Sequence, residues 1–120
     1  MGNAAGKADA LQALAQIRIH LKDYENSFSL LEDALKVAEE AQLADNIIFI
    51  RIKAAIAKMA NSENKAAEAI LLEALAKIDS LDGSRFRPIV LGHLGQAYLG
   101  LKEYEKSQRY LRSIIAMPCC

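Results

Sequence analysis

Two stretches of this chain nearly coincide. Leu14, Gln16, Leu21, Lys22, Tyr24, Glu25, Ser27 and Leu31 recur, about eighty residues later, as Leu94, Gln96, Leu101, Lys102, Tyr104, Glu105, Ser107 and Leu111. Asp23 is answered by Glu103. Repetition on this scale restricts the fold to stacked similar units, which present a binding surface more readily than a catalytic pocket.

Between Lys22 and Tyr24, and between Lys102 and Tyr104, there is no room for a crossover, so each copy is an antiparallel helical hairpin. Ala, Leu, Glu and Lys dominate the rest, and they favour helix. The pattern predicts six helices at about 7–21, 24–41, 45–60, 63–79, 85–100 and 103–116. Asp45 and Ser84 are the expected N-caps, Asp82-Gly83 a turn, and Pro88 a first-turn proline of the fifth helix. A middle copy is then required. A shift of about forty places Leu31, Ala34 and Leu35 on Leu71, Ala74 and Leu75; a shift of about forty-one places Leu30, Leu31, Glu32 and Lys36 on Leu71, Leu72, Glu73 and Lys77. Both registers stay open at this point.

The unit resembles the tetratricopeptide repeat. Leu94, Gly95 and Tyr98 match that family's first-helix signature, and Tyr104, Ser107, Leu111 and Pro118 match its second-helix positions. The first copy keeps Leu14, Ala15, Tyr24, Ser27, Leu31 and Ala34 but has Arg18 in the aromatic place, and the middle copy has Asn64 where the tyrosine belongs. The resemblance implies an all-α solenoid of three stacked hairpins, at about 7–41, 45–79 and 85–116 within one domain over 7–118, with a flexible 1–6 and a tail at 117–120. Long second helices make it similar to the roughly forty-residue repeats of kinesin light chains and Pins-type adaptors. Such arrays bind proteins, so the resemblance implies a non-catalytic scaffold or adaptor.

Composition agrees with an ordinary globular domain. Of 120 residues 52% are apolar, enough for a core without staples. Fifteen basic residues balance fifteen acidic ones, which removes the simplest electrostatic case for nucleic acid. The second helix is acidic, with Glu32, Asp33, Glu39 and Glu40, whereas Lys102, Lys106, Arg109 and Arg112 make the last one basic. A solvated face is the favoured reading of that basic stripe. Cys119 and Cys120 form no disulfide framework, and His20 and His93 have no partner at metal-ligand spacing, so neither metal nor cofactor is expected. No nucleophile elbow or phosphate loop appears. Apolar runs are broken by Arg51, Lys53 and Lys58 before they reach membrane-spanning length. A cytoplasmic, reducing location is the expectation.

In relatives of this type the first helices line the concave face. Carried over, those positions are Asp9, Gln12, Gln16 and His20; Phe49, Ile52, Ile56 and Met59; and Ile89, Gly92, Gln96 and Leu99. Two glutamines supply no positive charge for a carboxylate clamp, so the resemblance implies a peptide or partner helix with apolar anchors. Phe49, Ile52 and Ile56 are equally readable as core. Alternatives are a structural subunit or fragment docking through convex or terminal faces, self-association through the last helix, and a lipid-anchored adaptor acylated at Gly2, Cys119 or Cys120.

Overall fold

A computed structural model describes residues 3–80 and 84–116. Six α-helices follow one another: α1 (Ala4–His20), α2 (Tyr24–Glu40), α3 (Ala44–Ala60), α4 (Asn64–Ser80), α5 (Arg87–Gly100) and α6 (Tyr104–Ile115), with one 3-10 turn, Ser84–Phe86, before α5. This is the expected all-α array of three antiparallel hairpins.

Four interhelical turns share one backbone geometry. Lys22, Gln42, Ser62 and Lys102 sit in the left-handed region at φ 60°, 56°, 63° and 62°. After each, the next N–H reaches back into the helix: Asp23, Leu43, Glu63 and Glu103 donate to the carbonyls of Arg18, Ala38, Lys58 and Tyr98 at 2.8, 2.9, 2.7 and 2.9 Å. These are Schellman caps, which satisfy carbonyls the helix end would otherwise leave open. Glycine ordinarily takes the left-handed place; a side chain there costs about 1 kcal/mol. Asp82-Gly83 lies outside the described residues.

The turns at Lys22, Ser62 and Lys102, which join the two helices of each hairpin, are forty residues apart, and this fixes the register at a shift of forty. Small residues confirm it where first and second helices of each hairpin cross: Ala15 with Ser27, Ala55 with Ala67, and Gly95 with Ser107, all buried. In the third hairpin the two helices come close enough for a direct hydrogen bond at the crossing. There the Ser107 hydroxyl donates to the Gly95 carbonyl at 2.7 Å. In the first hairpin, where Ala15 carries a Cβ, Ser27 donates to Tyr24 of its own helix at 2.8 Å instead.

Several boundaries differ from expectation for local reasons. α1 begins at Ala4 rather than near residue 7, because Asn3 accepts from the Gly6 N–H at 2.9 Å and caps it. Leu43, not Asp45, is the N-cap of α3, since the Schellman turn carries the chain into the helix one residue sooner. Asp45 sits in the first turn, where a carboxylate suits the helix dipole. Phe86, not Ser84, caps α5. Pro88 has no N–H to give a helix begun at Ser84, so the chain winds one 3-10 turn and the α-helix starts at Arg87. Gly2, Pro118, Cys119 and Cys120 lie outside the described residues.

The main core joins α3 to α6 around Ile48, Leu71, Ile78, Phe86, Val90 and Leu94. A smaller one holds α1, α2 and α3 together around Ala15, Leu31, Ala34, Ala38 and Ile50. No described helix is long and apolar enough to cross a membrane.

Candidate protein-binding groove

The first helices of the hairpins pack on one another, α1 on α3 and α3 on α5, whereas the second helices do not approach to a comparable extent. The first helices therefore stand side by side in one row along the array. Cross-links between hairpins run along this row. Asn46 donates to Asp9 at 3.3 Å, Arg85 pairs with Asp45, and Phe49 meets Phe86 edge to face at 4.8 Å.

Phe49, Ile89 and Leu99 are exposed along this side, Leu99 most of all at 56%. Ile56 and Met59 are half-buried beside them. Gln16 and Gln96 stand at equivalent places at the two ends of the row, and each touches an imidazole: Gln16 and His20 at 3.4 Å, Gln96 and His93 at 3.1 Å. Gln12 and Ile52 are different. Both are buried, Ile52 in the main core, so they support the face from beneath and offer a partner little area. Gly92 is half-buried, with Ile114 of α6 the nearest side chain to the space a Cβ would take. With the register at forty, the counterpart of Met59 and Leu99 is Ile19 rather than His20. The shift of eighty between the outer copies already pairs Leu99 with Ile19, so that residue was readable in the sequence.

A concavity lies away from this row. A recess of about 200 Å³ opens between α2, α3 and α4, walled by Leu31, Leu35, Ile50, Ala54 and Ile70 with Arg51 and Lys58 at its edge. Its origin is the divergence of the middle repeat. One unit further on, Tyr98 and Tyr110 stack at 5.4 Å and Leu94 is buried. Their counterparts here are Lys58, Ile70 and Ala54. Lys58 instead lies 3.8 Å above the Phe28 ring, and Arg51 pairs with Glu73 at 2.6 Å and Glu39 at 3.6 Å.

The coupling of Tyr98 with Glu68 is also structural. The Tyr98 hydroxyl donates to the Glu68 carboxylate, and with Lys65 this holds the acid below its ordinary range. Burial together with that bond pushes the Tyr98 phenol up. Among the described residues no group of His, Cys, Asp or Glu is disposed to hold a metal ion.

No protein-family model and no curated protein matches the chain in sequence. Its structure is similar to the crystal structure of the TPR domain of Arabidopsis FLU, with a TM-score of 0.84 over 94% of this chain and 95% of that one at 12% identity. Tyr98, Tyr104 and the small-residue crossings thus sit in a tetratricopeptide-repeat fold, and that fold is what this chain shares with the FLU domain.

Proposed function

We propose that the chain is a non-catalytic protein-interaction module whose concave face binds an extended peptide or an amphipathic helix. The observation that carries this reading is the exposed apolar row of Phe49, Ile89 and Leu99, flanked by Gln16 and Gln96. Apolar side chains of a partner would remove that row from water, contributing about 25 cal/mol per Å² buried, while the amides pair with its backbone. The hairpin spacing of forty residues supports a long-repeat array of the kind found in kinesin light chains and Pins-type adaptors. Uncharged Gln16 and Gln96 favour an apolar-anchored ligand over a terminal carboxylate.

The test is quantitative capture from lysate with the wild-type chain and with Phe49→Ser, Leu99→Ser and Gln96→Ala. Leu99 and Gln96 are exposed and Phe49 is partly so, resting edge to face on Phe86, so the fold of each variant is checked by circular dichroism. A partner retained by the wild-type chain and by a Leu72→Ser control on α4, but lost from the groove variants, supports the reading. Retention by all groove variants and loss from the α4 control would instead assign the chain as a subunit docking through its outer face.

A further inference from the structure

The two ends of the array carry the two halves of one interface. Inside the molecule, α2 docks on α3 through Leu31, Ala34 and Leu35, which share a packed cluster with Ile50 and Ala54. One unit on, α4 does the same through Leu71, Ala74 and Leu75 with Val90, Leu94 and Ala97. On α6 the corresponding residues are Leu111, Ile114 and Ile115. Leu111 is exposed, Ile114 half-buried and Ile115 84% exposed. On α1 the residues corresponding to Ile50, Ala54 and Ala57 are Ala10, Leu14 and Ile17. Ala10 is exposed, and Leu14 and Ile17 are 50% and 53% exposed.

The geometry points to head-to-tail self-association, in which α6 of one copy docks on α1 of a second copy as α2 docks on α3. The occupant follows from the repeat itself. Each uncovered face has its complement, already used twice within the chain, on the opposite end. Polar groups agree as well. Lys58 meets Phe28, and Tyr98 bonds Glu68, so this pair of positions joins adjacent units. Across the proposed junction the pair is Arg18 and Gln108, a guanidinium donor and an amide carbonyl that accepts. Because this heterologous contact repeats the step by which one hairpin stacks on the next, it leaves a free face at each end, and copies add in a line. Arg112 replaces Glu32 of the internal interface and brings like charge toward Arg18, which keeps the association weak and makes it strengthen with salt. The junction leaves the concave row free, so it stands apart from the proposed peptide groove.

Sedimentation equilibrium on the full chain, with Leu14→Asp and Ile115→Asp, tests this arrangement. The wild-type chain should show concentration-dependent species above the dimer. Each variant alone should lose association by at least about tenfold in dissociation constant, with its helical circular dichroism unchanged. An equimolar mixture of the two should restore dimers and nothing larger, because each supplies the face the other lacks. Ile17→Asp replaces Leu14→Asp should the latter lose helicity. Leu99→Asp, in the groove, should associate as the wild type does. A wild-type chain that stays monomeric, a Leu14→Asp chain that still dimerises, or a mixture that stays monomeric would each overturn the proposal.

Discussion

Replacing Gly95 by alanine opposes two effects whose sizes the structure allows to be compared. In a helix interior the change alone should stabilise by about 1 kcal/mol. A Cβ at this position would lie 2.6 Å from Leu111 Cδ2 and 2.7 Å from its Cγ. Carbon atoms in contact prefer roughly 3.5–4.0 Å, so about 1 Å must be found by moving Leu111 or parting α5 from α6. Overpacking of this kind costs about 1–3 kcal/mol. Parting the helices would also stretch the buried bond from Ser107 to the Gly95 carbonyl, adding about 1 kcal/mol. The exposed side of Leu111 lets it rotate away in part, which favours the lower end. The net expectation is a loss of about 1–2 kcal/mol, read as a lower urea midpoint at unchanged slope and a melting temperature lower by about 3–8 °C. In a Leu111→Ala background the overlap is gone, and Gly95→Ala should become neutral or stabilising. If Gly95→Ala alone leaves the chain as stable as before, or more so, the close approach of α5 and α6 is not what glycine secures.

Two further perturbations test the packing and the electrostatics. Ala54→Leu copies Leu94 into the equivalent place and fills part of the recess between α2, α3 and α4, so it should raise stability by about 1 kcal/mol in urea unfolding; a loss would mean the walls already meet. Glu68 has its folded-state pKa below the ordinary carboxyl value, so its contribution is complete above the unfolded pKa of about 4.5 and is lost as pH falls through the folded value. Glu68→Gln should therefore narrow the difference in urea midpoint between about pH 7 and pH 3, and an unchanged difference would place the acid sensitivity elsewhere.

Helix number and order were readable because the two outer hairpins repeat Tyr24 and Ser27 as Tyr104 and Ser107, and nothing but a hairpin fits the junctions. The middle register was not readable. Its crossing pair, Ala55 and Ala67, is indistinguishable from ordinary helix alanines, and Asn64 has lost the aromatic marker. The Schellman turns that fix the register have Lys, Gln and Ser in the left-handed place where glycine would have announced them. For the same reason the sequence points to Asp45 rather than Leu43 as the cap of α3. The groove divides similarly: Ile89 and Leu99 on α5 are exposed as the first-helix positions imply, whereas Gln12 on α1 and Ile52 on α3 are buried. A period of 3.6 residues cannot separate the rim of a shallow face from its floor when both carry apolar side chains.

The central claim is that partners contact the first helices. A photo-crosslinking residue placed at Leu99 on the inner row, and separately at Leu72 on α4, tests it most directly, because both sites are exposed and neither substitution disturbs the core. We expect irradiation in lysate to join a discrete partner to the chain from position 99 and not from position 72. A partner captured from position 72 alone would contradict the account.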